Sequence, residues 1–401
     1  MKNIKVVIGS NFGDEGKGLM TDYISSKVKD GIVVRFCGGT QAGHTVTTPD
    51  GKRHVFGHIG SGAFSGLPTY LSSFFVANPM TFNKEFSDLS GLIKVPTVFV
   101  DPDCIVTTPY DMMINQIAEI VRGKSKHGSC GLGINETIER NLVEEDIRFT
   151  VKDLLNECEL REKLIIIRDT YTNKRLNKLG IEEVPERYKA LLNNDGIIES
   201  YILDVRLFLN TVKISGINVL SNFNSIVFEG SQGLLLDQSH EYFPYVTRSN
   251  TGMKNVKELI KEMGCQDEDV EVVYATRAYL TRHGAGPFIT ELPNKPYKKI
   301  EDLTNIPNPY QGTLRFGLLD VDLLAKTIKK DLVNTDGLNC TIKLGITCLD
   351  QLDDIVDYKL NNQNNKAIID EFIGDVFTAV GVEEGYISYG ATRSTIQHIK
   401  L

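Results

Sequence analysis

Two carboxylates and a lysine stand close together in the stretch GSNFGDEGKGLMTD, residues 9–22, directly after the apolar run of residues 4–8. The pattern is close to a Walker A loop, in which backbone amides and a lysine hold phosphates and a hydroxyl binds Mg²⁺. Here Gly18 occupies the position of that hydroxyl, while Asp14 and Glu15 would repel a triphosphate unless a cation lies between. The stretch is therefore either an ordinary acidic turn or a phosphate loop that also performs proton chemistry.

A second glycine-rich stretch, RFCGGTQAGHT at residues 35–45, follows another apolar run. Its glycines permit close approach of the backbone to a ligand, and Gln41 and His44 add polar reach. A histidine in such a loop can stabilise the charge on a phosphoryl group in transfer. The alternative is a structural turn in which His44 binds a neighbouring backbone group.

Further polar side chains follow later apolar runs. Gln232 lies in a predicted glycine turn, where its amide can contact a base edge, and Thr247 belongs to a polar cluster suited to a phosphate that is held but not cleaved. A long loop with Asx and Ser/Thr turns explains the same residues without a ligand. Arg315 beside a predicted helix start can bind a carboxylate, and Asp350 after a strand can accept hydrogen bonds from a purine, although a lone loop aspartate is more often solvated.

The composition indicates a globular protein. The chain has 401 residues, 41% apolar and 24% charged, with a net charge of −8 that disfavours a nucleic-acid partner. Seven scattered cysteines without a C-x-x-C pair are typical of a reducing compartment. The sequence shows neither a signal-peptide pattern nor an apolar stretch long enough to span a bilayer. We therefore expect a cytoplasmic protein without a membrane partner.

Short apolar runs alternate with helical patterns, which predicts an α/β fold: one large domain, residues 1–401, with a central mostly parallel sheet flanked by helices and a P-loop-like GDEGKG loop after the first strand. The predicted strands are 4–8, 32–36, 97–100, 226–228, 270–274 and 340–346, and the predicted helices are 17–29, 110–122, 188–212, 320–330 and 366–380. Residues 361–365 are predicted as a surface loop. The glycine-rich loops should converge on one crevice at the carboxyl ends of the strands.

In this order the motifs resemble the adenylosuccinate synthetase family. They read GDEGKG, VRFxGGxxAGHT, EGxQGxLLD, PYVTxSNT, TRxGAGPFxTE and LDxLD, and the resemblance runs from about residue 4 to about residue 396. It implies a homodimeric carbon–nitrogen ligase of purine biosynthesis. Such an enzyme joins L-aspartate to C6 of a purine nucleoside monophosphate through a 6-phosphoryl intermediate, with a nucleoside triphosphate and Mg²⁺.

The resemblance also implies roles for particular residues. Asp14 is expected to remove the purine N1 proton and to ligate Mg²⁺ together with the carbonyl of Gly43, while Lys17, His44 and Gln232 complete the catalytic set. Arg140 is the candidate for an arginine donated to the partner subunit's site. The nucleotide-binding candidates are Ser10, Asn11, Gly13, Glu15, Gly16, Gly18, Gln41, Ser129, Cys130, Arg140, Thr247, Asp350 and Gly390, and the aspartate-binding candidates are Thr290, Thr313 and Arg315.

Departures from the family pattern bear on the substrate. Gln41 replaces a shorter amide, Ser10 and Asn11 are expected to bring new acceptors beside the base, and Arg315 alone remains of three closely spaced arginines. Cys348 replaces the lysine that covers the guanine of GTP, which favours ATP or dATP as donor. These changes resemble the viral branch, which acts on dGMP, and would place the protein in a host cytoplasm.

The retained Asp14 instead favours an ordinary enzyme that uses IMP and GTP. A non-catalytic nucleotide-binding regulator is the third hypothesis. We expect dGMP to be the better substrate.

Overall fold

The computed structural model describes residues 2–143, 145–302, 304–305 and 310–401. Within these residues the strands are β1 (Asn3–Gly9), β2 (Gly31–Arg35), β3 (His44–Thr47), β4 (Arg53–Phe56), β5 (Thr69–Leu71), β6 (Val76–Ala77), β7 (Val98–Val100), β8 (Ile105–Val106), β9 (Lys213–Ile214), β10 (Ser225–Gly233), β11 (Asp269–Arg277), β12 (Tyr279–Arg282), β13 (Glu291–Leu292), β14 (Arg315–Asp320), β15 (Asn339–Thr347), β16 (Ile355–Leu360), β17 (Gln363–Ile368), β18 (Glu384–Ser388) and β19 (Ile396–Lys400). The helices are α1 (Lys17–Ser26), α2 (Pro79–Ser90), α3 (Pro109–Arg122), α4 (Ile134–Val143), α5 (Glu157–Ile166), α6 (Thr172–Lys178), α7 (Glu186–Leu192), α8 (Asp195–Thr211), α9 (Met253–Glu262), α10 (Val321–Leu332) and α11 (Ile369–Val380).

The central sheet runs in the order β19-β18-β15-β11-β1-β10-β2-β5-β7-β9. Its neighbours pair in parallel, except that β19 is antiparallel to β18. The predicted α/β class with a mostly parallel sheet is confirmed. All six predicted strands are present, because strands buried on both faces read as continuous apolar runs. In the described residues, no helix combines the length and the apolar character needed to cross a membrane.

The GDEGKG loop follows β1, as predicted, and leads directly into α1. Gly16 starts the helix with φ 78°, and a Cβ atom there would lie 2.9 Å from Cγ2 of Thr347. Both the backbone angle and the space therefore require glycine. Since β1 lies between β10 and β11, the loop stands at the centre of the sheet's carboxyl edge.

A second, five-stranded sheet was not predicted. It contains β12, β13, β14, β16 and β17. Asn361 and Asn362 form the turn between β16 and β17 with φ of 55° and 58°, the left-handed angles that two-residue hairpin turns require. The predicted loop over 361–365 is therefore right only for these two residues. The predicted helix from residue 366 begins instead at Ile369.

Two helix predictions need correction at their boundaries. The continuous helix over 188–212 is in fact α7 and α8, because Asn194 caps α8 by accepting a hydrogen bond from the Gly196 amide at 2.8 Å. Helix α1 ends at Ser26, three residues before the predicted end. The helices α3 and α10 agree with prediction to within two residues, whereas α2, α4, α5, α6 and α9 were not predicted.

Candidate active site

The loops at the carboxyl edge of the central sheet surround a cleft of about 370 Å³, a size typical of small-molecule sites. Its walls include residues 12–14, 41–43, 127–130, 231–232 and 244–248. The predicted convergence of glycine-rich loops is therefore observed. The cleft brings together eight of the predicted site residues, Gly13, Asp14, Gln41, Gly43, Ser129, Cys130, Gln232 and Thr247.

Glu15 and Lys17 point into the interior of the GDEGKG loop. The Glu15 carboxylate accepts hydrogen bonds from the backbone amides of Asn11 at 2.9 Å and Gly13 at 2.7 Å. Lys17 Nζ lies 3.0 Å from the same carboxylate and 2.6 Å from the Gly13 carbonyl, and the lysine is almost completely buried. This pair holds the loop in shape, and neither side chain lines the cleft.

Asp14 faces the cleft with its side chain 17% exposed. Its Oδ2 lies 3.4 Å from Nε2 of His283 and 3.4 Å from the hydroxyl of Thr281. Burial acts to raise the pKa of this carboxyl, but the hydrogen bond and charge of His283, followed by Arg277 and Lys17, hold the pKa well below its ordinary range. Asp14 is therefore ionised at neutral pH and able to accept a proton or contact a cation.

His44 belongs to a buried network behind the cleft wall. Its Nδ1 lies 2.6 Å from Oε1 of Glu229, which also pairs with Arg35 at 3.3 Å. Burial lowers the pKa of His44, although Glu229 acts in the opposite direction. Burial also acts to raise the pKa of Glu229, but Arg35, His44 and Ser61 lower it to about 2. Since His44 itself does not line the cleft, its contact with a phosphoryl group stays a prediction.

Two glutamines of the cleft wall have buried amide atoms without hydrogen-bond partners. Gln232 is 6% exposed, and neither atom of its amide has a partner among the described residues. Oε1 of Gln41 is also buried without a hydrogen-bond partner among the described residues. A buried polar group without a partner costs about 1–3 kcal/mol, so both amides are suited to a ligand that supplies the missing bonds. Gln232 lies within β10 rather than in the predicted turn.

The turn between α3 and α4 forms another wall. Ser129 exchanges hydrogen bonds with the Asn115 amide at 2.9 and 3.2 Å, and Gly133 precedes the first residue of α4. Thr247 and Arg248 face the same cleft from the loop after β10. This part of the cleft therefore combines hydroxyls, a guanidinium and a helix N-terminus, groups that bind anions.

The family model for adenylosuccinate synthetase matches residues 6–395 of the chain. The chain belongs to the adenylosuccinate synthetase family. The enzyme from Halothermothrix orenii is 30% identical over 399 residues, which cover 95% of this chain and 86% of the relative. The enzyme from Microcystis aeruginosa is 33% identical over 381 residues, with coverages of 90% and 76%. The predicted enzyme class, a carbon–nitrogen ligase, is therefore confirmed.

Two solved structures share the synthetase fold. The fully ligated adenylosuccinate synthetase from Plasmodium falciparum matches with a TM-score of 0.73 and 19% identity, covering 98% of this chain and 99% of that one. The succinoaminodeoxyadenylate synthetase of cyanophage S-2L, bound to dGMP and to dATP as energy donor, matches with a TM-score of 0.59 and 15% identity, covering 100% and 96%. At these identities the likeness establishes the fold alone.

Arg140 does not have the position expected of an arginine donated across a synthetase dimer. It is completely buried, and it pairs with both carboxylate oxygens of Asp111 at 2.8 and 2.9 Å. Its remaining hydrogen bonds go to the carbonyls of Val106 and Ile147. Breaking such a buried pair costs about 3–5 kcal/mol. Arg140 therefore joins α3 to α4 inside the subunit.

Ser10 and Asn11 do not lie beside a base in the cleft. Both are buried, and the Asn11 amide donates to the Thr276 hydroxyl at 2.8 Å. Phe12, which was not predicted, lines the cleft instead. Its ring packs against the buried guanidinium of Arg282, whose Cζ lies 4.5 Å from the ring centroid. The remaining predicted nucleotide-binding residues, Gly16, Gly18, Asp350 and Gly390, also lie outside the cleft.

The predicted aspartate-binding residues lie outside the cleft as well. Arg315 forms an ion pair with Glu291 and donates to the carbonyls of Gly284 and Gly286 at 3.1 Å. The hydroxyl of Thr290 donates to a backbone carbonyl at 2.6 Å, and Thr313 is exposed. Arg315 thus supports the glycine turn.

Several cleft residues were missed by the sequence reasoning. Asn115, His127, Arg248, His283 and Asn305 all line the cleft. Arg248 and His283 stand inside the motifs PYVTxSNT and TRxGAGPFxTE, at the positions where the motif leaves the residue open. A charged or titratable side chain inside a glycine-rich or polar loop was the signal that could have identified both.

The cleft residues fit a magnesium ion. No cluster of three His, Cys, Asp or Glu side chains suited to a metal occurs in the described part of the chain, so a cage made of protein side chains alone is absent there. Mg²⁺ is commonly held by one or two carboxylates together with substrate phosphates and water. The ionised Asp14 and the backbone of Gly43 both line the cleft and would hold such an ion.

Proposed function

We propose that the protein condenses L-aspartate with C6 of dGMP, driven by ATP or dATP, to give N6-succino-2-amino-2′-deoxyadenylate. The observation that carries this proposal is the pairing, in one cleft, of the ionised Asp14 carboxylate with the unpartnered amide of Gln232. A protein that only bound nucleotides would need no base beside an amide without a partner. This arrangement disfavours the third hypothesis, a non-catalytic regulator.

The residues divide the chemistry between them. Asp14 accepts the proton from N1 of the base while O6 attacks the γ-phosphorus of the triphosphate, and the bond to the bridging oxygen breaks to release the diphosphate. The amine of L-aspartate then attacks C6, loses a proton, and inorganic phosphate leaves with the C6 oxygen. Gln232 orients the base edge through its amide. Mg²⁺ bound at Asp14 and Gly43 would neutralise charge on the phosphates.

The choice of dGMP rests on Gln41. Its Oε1 is buried in the cleft wall without a donor among the described residues. The 2-amino group of a guanine is a donor that IMP lacks, and a buried unpaired acceptor costs about 1–3 kcal/mol. Arg315, which alone remains of the three closely spaced arginines, lies outside the cleft, so no arginine of that segment faces the 2′ position of a ribose there. The cyanophage S-2L protein, which has the same fold, was solved with dGMP and dATP.

The second candidate is an ordinary adenylosuccinate synthetase that uses IMP and GTP. The retained and ionised Asp14 favours this candidate, because an aspartate at this position departs from the pattern of the viral branch. Relatives at 30–33% identity are adenylosuccinate synthetases. In either case we infer a cytoplasmic homodimer with a nucleoside monophosphate, L-aspartate and a triphosphate as ligands.

The deciding experiment is a competition between IMP and dGMP at equal concentration, with L-aspartate and Mg²⁺. Succinyl-nucleotide products are separated by chromatography, with ATP and GTP in separate runs. We expect kcat/KM for dGMP to exceed that for IMP roughly tenfold or more. A preference for IMP would select the second candidate, and no product with any pair would reject the ligase reaction. A Gln41→Leu variant should lose the preference for dGMP while still binding IMP.

A further inference from the structure

Arg248 is the only arginine or lysine that lines the cleft among the described residues. It lies in the loop after β10, directly after Thr247. Its side chain is 27% exposed, and its Nη1 donates to Oε2 of Glu139 on α4. No hydrogen bond from Nε or Nη2 to another described residue is present, so part of the guanidinium fork is free to bind a ligand.

The surroundings of Glu139 leave positive charge at this wall. Glu139 also pairs with Arg175 at 3.2 Å and with Lys178 at 3.0 Å, and Arg175 pairs in addition with Glu136. Two carboxylates thus face three cations. Although Arg248 is one of the three partners of Glu139, the five side chains together carry one net positive charge, so an anion in the cleft would be attracted to this wall.

We propose that Arg248 binds the phosphate of the nucleoside monophosphate, an inference that rests on the proposed function and names a further binding residue in the same cleft. A guanidinium fork matches phosphate oxygens in geometry and charge. The hydroxyls of Thr247 and Ser129 line the cleft with it, and the N-terminal residues of α4 face the same space. Glu139 holds the guanidinium at the wall, so less side-chain entropy is lost on binding.

Two other roles for Arg248 are possible and can be distinguished. If Arg248 only tethers its loop to α4, its removal would disturb nucleosides and nucleotides equally. If it binds the carboxylate of L-aspartate, its removal would raise KM for L-aspartate and leave KM for the nucleotide unchanged. The assignment to phosphate predicts a loss confined to ligands that carry the phosphate.

The test measures binding of dGMP and IMP, and of deoxyguanosine and inosine, to the full chain and to Arg248→Gln by calorimetry. We expect Arg248→Gln to lower the affinity for the preferred nucleotide roughly 10- to 100-fold. The affinity for the corresponding nucleoside should change by less than about twofold. Arg248→Lys should recover part of the loss. The matched control is Arg206→Gln, which removes an exposed arginine paired with Glu157 at 2.8 Å and should change neither affinity.

The outcomes separate this inference from the function it rests on. Wild-type protein that binds neither nucleotide would reject the proposed function. Wild-type protein that binds a nucleotide while Arg248→Gln binds it equally well, or loses nucleoside and nucleotide affinity alike, would reject the role of Arg248 alone. A rise in KM for L-aspartate only would do the same. Glu139→Gln keeps the guanidinium of Arg248 and should retain most of the nucleotide affinity. If Arg248 served only to tether its loop to α4, Glu139→Gln and Arg248→Gln would lose the same nucleotide affinity.

Discussion

Nε2 of His283 lies 3.4 Å from Oδ2 of Asp14 and 3.0 Å from Oδ1 of Asn305. Burial acts to lower the pKa of His283, but the hydrogen bond and charge of Asp14 raise it, while the same contact lowers the pKa of Asp14. The two side chains therefore stabilise each other's charged forms. His283 thus sets the orientation in which the Asp14 carboxylate meets a substrate.

Replacement of Asp14 by Asn should abolish turnover, because an amide cannot accept the purine proton and is a weaker ligand for a cation. The loss in kcat should be at least the ~10²–10⁴-fold that a general base contributes. Nucleotide binding measured by calorimetry should change little, since the rest of the cleft is intact. Near-normal turnover by Asp14→Asn would show that another group accepts the proton.

Replacement of His283 by Leu should lower kcat roughly 10- to 100-fold, because the charge-assisted contact that orients Asp14 is lost. KM for the nucleotide should change less than kcat, since His283 acts through Asp14. His283→Gln can place an amide donor near the position of Nε2 and should restore most of kcat. His398→Gln is the control, because it removes an imidazole 2.6 Å from Glu384 on an exposed edge. An unchanged kcat in His283→Leu would contradict the positioning role.

Replacement of Glu229 by Gln should destabilise the protein by about 3–5 kcal/mol, because Arg35 and His44 would remain buried without their carboxylate. The pKa of Glu229 falls from 4.5 to about 2 on folding. A lowered folded pKa means that the stabilising contribution is complete above pH 4.5 and is lost as the pH falls towards 2.

The measurement compares the urea midpoints of wild type and Glu229→Gln at pH 7 and pH 3. The difference between them should be smaller at pH 3. Glu199→Gln, at an exposed ion pair with Arg161, should leave both midpoints unchanged. An equal difference at both pH values would show that the charge of Glu229 does not carry the effect.

Six of the ten strands of the central sheet were predictable because they form apolar runs, whereas β5, β9, β18 and β19 were not predicted. Strand β1 and its loop are an example, since an apolar run ending in glycines determines both. The second sheet was not predictable in this way. Its strand β16 is buried at alternate residues only near its start, and β17 is mostly polar, so neither forms an apolar run. Only the Asn361–Asn362 pair carried a local signal.

Residue types indicated which loops form the cleft, but not which side chains point into it. The carboxylate of Glu15 turns inward because two backbone amides and Lys17 lie within its reach. Arg140 is buried because Asp111, 29 positions away in the chain, is also buried on the facing helix. Such directions depend on tertiary partners that sequence spacing does not specify. Gln41 and Gln232 line the cleft, and Oε1 of Gln41 and both amide atoms of Gln232 have no hydrogen-bond partner among the described residues.

The position of β1 has a consequence for how the chain is made. Both neighbours of β1 lie far along the chain, at Ser225–Gly233 and Asp269–Arg277. At a synthesis rate of about 5–20 residues per second, the ribosome needs roughly 10 to 45 s after β1 is complete before β10 exists to pair with it. During that interval the apolar residues of β1 have no native partner strand. Pairings between such distant segments form slowly, so we expect the GDEGKG loop to reach its final position late and the nascent chain to need protection from aggregation until then.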